Sequence, residues 1–232
     1  MKGRCMKVYP QCAKCSSFYC SLVPLESVDE KALPSFCPMK NSMETIRSAV
    51  EKYAEENVKR IYVPATVTEK EAYQVVRGVL MAVRPRIKEL IEFARLVNAK
   101  RLGVAFCAGL QDEAARTVSF LEEAGFEVAS VRCKCGAVDK TELGVSKEYK
   151  IGDPSEFEAA CNPIVQAQLL NEAETDINII VGLCVGHDML FTMHSKAPVT
   201  TLIVKDRLLG HNPVAALYSG YHRGIVKSQK RL

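Results

Sequence analysis

The sequence lacks the features that identify membrane and exported proteins. None of its apolar runs approaches the ~18–20 residues that a transmembrane helix needs. The first residues, Met1 to Cys15, are basic and cysteine-rich and contain no apolar signal-peptide core. We therefore expect a cytoplasmic protein with no membrane partner, in a reducing compartment where disulfides rarely persist.

A surplus of basic residues is also absent from most of the chain. The 232 residues include 31 Lys and Arg against 27 Asp and Glu, which gives a net charge of +4. The tail over residues 221–232 carries that surplus, and the rest of the chain is neutral. Because a nucleic-acid-binding protein usually presents a basic face or stripe, we expect no nucleic-acid partner.

Three widespread site motifs are missing as well. The sequence contains no GxxxxGK[ST], no GxGxxG and no GxSxG. A Walker-type nucleotide site, a standard dinucleotide site and a serine-hydrolase elbow therefore lack support. The composition, 48% apolar and 25% charged, is that of an ordinary globular protein with a core of its own.

Strands and helices alternate in the second half of the chain. Short apolar runs typical of strands lie at Leu102–Cys107, Phe126–Cys133, Ile177–Cys184 and Val199–Lys205. Helical segments separate them, and such alternation is typical of a parallel sheet. We predict an α/β fold with a mainly parallel sheet in a Rossmann-like three-layer arrangement.

The prediction divides the chain into four segments. Residues 1–40 form a cysteine-rich metal-binding segment, 41–98 a helical region packed on the main domain, 99–220 the α/β domain and 221–232 a basic tail. Thr68 and Glu71 have capping-box spacing before an apolar run to Leu80, which predicts a helix there. Asp153–Pro154 has the pattern of another helix start.

Cysteine is the residue type that stands out, with ten in the chain. Four of them have the spacing C-x2-C-x4-C-x16-C, namely Cys12, Cys15, Cys20 and Cys37. Cys5 is a further donor nearby. Four thiolates on short loops suit tetrahedral zinc or an iron–sulfur cluster. Pro38 after Cys37 favours a cluster, but the usual cluster run is absent, and so is the second C-x2-C of a zinc ribbon. Both metals therefore stay open.

A second group of metal-ligating residues follows the predicted strands. Its members are Cys107, Cys133, Cys135, Cys161, Cys184 and His187. The carboxyl ends of parallel strands line the ligand crevice of an α/β sheet, so we expect these side chains to converge. They would bind a second iron–sulfur cluster or another metal. The alternative is that each buried cysteine serves only as a small apolar side chain.

Three segments resemble a known family. They are Cys12-Ala-Lys-Cys15, Gly182-Leu-Cys184-Val-Gly-His187-Asp188, and the run from Ala197-Pro-Val-Thr-Thr to Gly210-His211-Asn212-Pro213. Over nearly its whole length the chain is similar to a prokaryotic family of uncharacterised, predicted metal-binding proteins. The resemblance implies metal ligands at the matching cysteines. It implies neither a reaction nor a substrate.

These observations lead to one main functional hypothesis and two alternatives. The main hypothesis is a metal-binding protein that holds an iron–sulfur cluster. It would carry out electron transfer or redox chemistry on a small molecule and would work with a redox partner protein. The first alternative is a zinc-stapled α/β binding module. The second is an enzyme with Cys161 as nucleophile, His187 as base and no metal in the crevice. Whether the protein is an enzyme stays open.

Overall fold

The structure, a computed structural model, describes residues 8–24 and 27–228. Cys5 and the end of the basic tail lie outside the described residues. The chain divides into two compact units, Met1–Thr66 and Val67–Leu232. Each unit is described by itself.

The first unit consists of short helical pieces. Its helices are α1 (Pro38–Asn41), α2 (Met43–Glu51) and the first part of α3 (Glu56–Glu71), and single 3-10 turns occur at Cys12–Lys14, Tyr19–Ser21, Glu30–Ala32 and Lys52–Ala54. Among its described residues, Leu33 is the one buried apolar side chain. A segment with so small a core needs some other constraint to hold its fold.

The second unit continues from α3 into a β-hairpin. Its strands are β1 (Tyr73–Val76) and β2 (Val79–Ala82), paired antiparallel with Tyr73 opposite Ala82. The helix predicted from Ala72 to Leu80 is therefore wrong. Arg77 and Gly78 both have positive φ, 52° and 80°, as a two-residue hairpin turn of the I′ kind requires. The valines and the tyrosine around them favour strands.

A four-stranded parallel sheet forms the centre of the second unit. Its strands are β3 (Arg101–Phe106), β4 (Glu127–Arg132), β5 (Ile177–Val181) and β6 (Val199–Ile203), in the order β4-β3-β5-β6. All three neighbouring pairs are parallel. This confirms the predicted Rossmann-like α/β fold. The chain runs from β3 outward to β4 and then returns to β5 on the other side of β3, which places the topological switch point between β3 and β5.

Helices connect the strands and cover the sheet. They are α4 (Arg86–Leu96), α5 (Gln111–Glu123), α6 (Pro163–Glu172) and α7 (His187–His194). All five residues of β5 are buried, as a strand covered on both faces should be. The core includes Leu102 of β3, Leu121 of α5, Leu170 of α6 and Phe191 of α7, each fully buried. The helices α8 (Ala215–Tyr218) and α9 (Gly220–Lys227) follow the sheet.

The connection between β4 and α6 has little regular structure. It contains 3-10 turns at Lys140–Leu143 and Lys147–Tyr149, and the helix predicted from Asp153–Pro154 is wrong. The Asp153 carboxylate instead accepts hydrogen bonds from the backbone N–H (2.8 Å) and the hydroxyl (2.5 Å) of Ser155. Such a local turn competes with helix formation.

Of the helices in the described ranges, none combines the length and the apolar composition that spanning a membrane requires.

Candidate metal centre

The carboxyl ends of three parallel strands each deliver a cysteine. Cys107 directly follows β3, Cys133 directly follows β4, and Cys184 lies three residues beyond β5. The N–H of Cys107 donates to the Val181 carbonyl (3.2 Å), and the N–H of Cys133 donates to the Phe106 carbonyl (2.9 Å). Sheet hydrogen bonding thus extends to Cys107 and Cys133. Because the strands are parallel, all three cysteines lie at one edge, as the sequence analysis expected.

Cys161 reaches the same edge from the start of α6. The N–H of Asn162 donates to the Cys133 carbonyl (2.7 Å), which ties the residue after Cys161 to the end of β4. The Asn162 side chain also caps α6 by accepting from the N–H of Val165 (3.2 Å), and Pro163 occupies the first helical position. A capped helix start therefore fixes where Cys161 lies.

Three metal-ligating side chains meet at this edge. The donor atoms of Cys161, Cys184 and His187 all lie within 4.8 Å of one another, and each side chain is half-buried. The N–H of His187 donates to the Cys184 carbonyl (2.9 Å), which closes the turn that begins α7. The Nδ1 atom of His187 is buried and has no hydrogen-bond partner. Buried polar atoms nearly always have a hydrogen-bond partner, so this nitrogen is free to bind a ligand.

Cys133 connects this group of three to Cys107. Its thiol is hydrogen-bonded to the thiols of both Cys107 and Cys161. The Cys133 sulfur also accepts the N–H of Ala108 (3.2 Å). We call Cys107, Cys133, Cys161, Cys184 and His187 the strand-edge cluster. The structure therefore gathers five of the six side chains that were predicted to converge.

Hydrogen bonding and burial give these groups different proton affinities. The hydrogen bond from Cys133 lowers the pKa of the Cys161 thiol to about 7, against the effect of burial, and the Lys134 charge assists. The hydrogen bond with Cys133 and burial raise the pKa of the Cys107 thiol to about 12. Burial lowers the pKa of His187, although Asp188 opposes that effect. At neutral pH, Cys161 is thus partly thiolate and His187 is neutral, which is the form that binds metals.

Two cations contact sulfur atoms of the cluster. The Lys205 ammonium lies 2.5 Å from the Cys107 sulfur, and the Arg207 guanidinium donates to the Cys184 sulfur at 2.9 Å. Neither residue was among the predicted site residues. A signal for them existed, because Lys205 ends the strand predicted at Val199–Lys205 and Arg207 follows it, and that strand ends at the same edge as the others. The ammonium of Lys134 donates to the Ala159 carbonyl nearby.

The remaining predicted ligands lie outside the group of three. Cys135 is half-buried in the turn after β4, where its N–H donates to the Arg132 carbonyl (3.1 Å). In the first unit, the sulfur of Cys15 contacts the hydroxyl of Ser17 (3.3 Å). Over residues 8–24 and 27–66, no three metal-ligating atoms come within 4.8 Å of one another. The N-terminal site at Cys12, Cys15, Cys20 and Cys37 stays a prediction from spacing.

The fold and this edge define a class of protein. It is a cysteine-rich parallel α/β protein with two thiols and an imidazole, at the carboxyl edge of its sheet, that could hold a metal ion. Residues 37–202 match the family model described as "Protein of unknown function (DUF1847)", and the chain belongs to this family. The family resemblance expected from the sequence is thereby confirmed.

An archaeal protein is similar to the chain over most of its length. The chain is 45% identical over 174 residues to "Uncharacterized protein MJ0455" of Methanocaldococcus jannaschii. The matched region covers 75% of this chain and 83% of that relative. No solved structure matches the chain.

Proposed function

We propose that the strand-edge cluster binds a transition metal through Cys161, Cys184 and His187, with Cys133 and Cys107 as further sulfur donors. The observation that carries the proposal is the 4.8 Å limit on the separations among the three donor atoms. In a tetrahedral zinc site, bond lengths of about 2.0–2.3 Å put neighbouring donor atoms about 3.3–3.8 Å apart. Side-chain shifts of about 1 Å would therefore form the site.

Electrostatics favours this proposal over cysteines that only fill space. A cation gains little beside a neutral thiol, whereas beside a metal-bound thiolate it offsets negative charge. Lys205 and Arg207 each contact a cluster sulfur, at 2.5 and 2.9 Å. The partnerless Nδ1 atom of His187 supports the same conclusion, because metal coordination would satisfy it.

We further propose that the bound metal is an iron–sulfur cluster with a redox role. This part of the proposal rests on the number of sulfur atoms. Four cysteines meet at this edge, and four is the number of thiolates that iron–sulfur clusters use. Such a cluster, when bound, supplies one-electron chemistry. The chain would hold it through cysteine sulfurs, and the N–H of Ala108 and the two cations would adjust its potential by hydrogen bonding to those sulfurs. A small molecule, or a redox partner protein, would exchange electrons at the half-buried edge.

Metal analysis of protein purified without oxygen tests the proposal. We expect iron and sulfide with a visible absorption spectrum, and loss of metal in Cys161→Ser, Cys184→Ser and His187→Asn. Cys135→Ser is the comparison variant, because that thiol lies outside the group of three. Protein that holds only zinc after anaerobic reconstitution contradicts the iron–sulfur form and leaves a zinc site. Variants that retain all their metal contradict the proposed site.

The same assay addresses the N-terminal cysteines. If Cys12 and Cys15 also bind a metal, the double variant Cys12→Ser/Cys15→Ser should lose metal that Cys184→Ser retains. The zinc-stapled binding module predicts a different result, in which only the N-terminal variant loses metal. Metal content in the two variants therefore separates the redox protein from the binding module.

A second candidate function is thiol catalysis without metal at this edge. The observation that favours it is the lowered pKa of Cys161, about 7, beside His187 as a base. In that case the protein as isolated should contain no metal at the strand-edge cluster, and iodoacetamide should modify Cys161 first. If metal protects Cys161 from iodoacetamide and a chelator removes that protection, metal binding is supported and this candidate is contradicted.

A further inference from the structure

We infer that the small molecule that reaches the strand-edge cluster is an anion with a carboxylate or similar oxyanion group. The inference rests on the proposed metal site at Cys161, Cys184 and His187. It adds the charge of the molecule that binds next to the metal, and it assigns Lys205 and Arg207 to holding that molecule.

The first observation is the sign of the charges around the cluster. Three cations are placed there by contacts: Lys205 with the Cys107 sulfur, Arg207 with the Cys184 sulfur, and Lys134 with the Ala159 carbonyl. Within the described part of the chain, none of these cations is paired with a carboxylate. Their positive charge is therefore not cancelled by an ion pair.

Two carboxylates that follow β5 and β6 are used by their own loops. Asp188 accepts from the N–H groups of Gly186 (2.9 Å) and Met189 (2.8 Å). Asp206 accepts from the N–H groups of Leu208 (3.0 Å) and Leu209 (2.8 Å). These bonds occupy the carboxylates without bringing them into an ion pair with the cations.

The charges in contact with the cluster give the expected sign of the ligand. A divalent ion held by two thiolates and a neutral imidazole is itself uncharged. Lys205 and Arg207 contact cluster sulfurs directly, and within the described residues neither is held in an ion pair, so they place positive charge beside the ion. Attraction at the few ångströms that separate these groups is strong enough to select an anion over a neutral molecule of the same shape.

The second observation is the number of protein ligands. The inference applies to the form of the site in which Cys161, Cys184 and His187 alone hold the ion and Cys133 and Cys107 stay unligated. In that form one position of a tetrahedral ion is open, which is the pattern of metal sites that bind substrate. Arg207 is exposed and donates to the sulfur of one of those ligands. A metal ion bound to the Cys184 sulfur would therefore lie beside the Arg207 guanidinium. The planar guanidinium donates two parallel hydrogen bonds to a carboxylate, so it suits an anion at the open position.

Cobalt substitution provides the test. Metal-free protein is loaded with Co²⁺, which takes the same nitrogen and sulfur ligands as zinc and has a visible spectrum that reports them. The probes are acetate and inorganic phosphate, with acetamide as the neutral match for acetate. We expect saturable spectral changes with an anion and none with acetamide. We also expect Arg207→Gln and Lys205→Gln to weaken acetate binding roughly tenfold.

The controls separate the two proposals. Lys196→Gln removes an exposed cation just before β6, at the opposite edge of the sheet, and should leave acetate affinity unchanged. The cobalt spectrum of each variant shows whether its cluster is assembled. Failure of the wild-type protein to bind Co²⁺ overturns the metal site, and this inference with it. Cobalt binding with equal responses to acetate and acetamide overturns the anion inference alone, as does wild-type acetate affinity in an Arg207→Gln protein that binds cobalt.

Discussion

Replacing Gly182 with alanine should weaken both the fold and the candidate site. Gly182 follows β5 and begins the loop that carries Cys184, with φ at +69°. A Cβ atom there would lie 2.4 and 2.8 Å from the two Cδ atoms of Leu110. Leu110 is fully buried, and its N–H donates to the Cys107 carbonyl (2.8 Å). Gly182 therefore permits the close approach of the two loops that carry Cys107 and Cys184.

The expected loss of folding free energy in Gly182→Ala has two parts. The left-handed backbone conformation costs a residue with a Cβ about 1–2 kcal/mol. Forcing a methyl group into the packed Leu110 side chain adds about 1–3 kcal/mol. The sum, roughly 2–5 kcal/mol, is a large share of the ~5–15 kcal/mol that stabilises a typical domain. At ~2–4 °C per kcal/mol for a domain of this size, the melting temperature should fall by roughly 10 °C.

Thermal unfolding and metal titration of Gly182→Ala measure the effect. Gly144→Ala is the matched control, because Gly144 has a similar φ of +81° and a Cβ atom added there would meet no other atom within 4 Å. Gly144→Ala should lose only the about 1–2 kcal/mol that the left-handed backbone conformation costs, and it should keep its metal affinity. If both variants lose equal stability and bind metal equally well, the close approach at Gly182 does not hold the two loops together.

Two further predictions concern proton affinity and the long connection. In metal-free protein, alkylation of Cys161 should rise with a midpoint near pH 7, while Cys107, with a pKa of about 12, should resist until strongly alkaline pH. Mass spectrometry resolves the two sites, and the reverse order of labelling would contradict the assigned hydrogen bonds. Asp139→Asn should speed hydrogen exchange over residues 138–160, since the Asp139 carboxylate accepts from the N–H groups of Thr141 and Glu158 and from Lys150. Those hydrogen bonds lower the pKa of the Asp139 carboxyl in the folded protein below its unfolded value of 3.8. Their contribution to stability is therefore present above pH 3.8 and is lost as the pH falls through the lower folded pKa. Equal hydrogen exchange in variant and wild type at neutral pH would exclude this role of Asp139.

The strand ends of the candidate site could be predicted because two local signals agree there. Apolar runs marked β3, β4 and β5, and the rule for parallel sheets put their carboxyl ends at one edge. The position of Cys161 was predictable for a related reason, since Asn162–Pro163 is a helix start and α6 begins there. The contact between Cys161 and Cys133 could not be predicted from the sequence. That contact depends on the path of the irregular connection between them.

The hairpin shows where the same kind of reasoning fails. Thr68 and Glu71 have the spacing of a helix start, yet they lie in the last turn of α3. Capping spacing alone does not distinguish the two ends of a helix, because it says nothing about which side carries the apolar period. In the structure, Arg77 and Gly78 both have positive φ, which fits a hairpin turn and no helix. In the sequence, the signal for that turn was the glycine between valine-containing runs.

The location of the cluster follows from the order of the strands. After β4 the chain must pass over β3 to reach β5, so the connection and the start of α6 lie above the switch point. Cys161 comes from that start of α6, Cys184 from the end of β5 and His187 from the start of α7, three consecutive elements of the chain. An ion held by these three side chains would therefore link α6, β5 and α7 at the edge where the sheet opens. The crossover topology therefore places the three ligands at the same crevice. This explains how Cys161 can share one ion with Cys184 and His187, which are 23 and 26 positions away along the sequence.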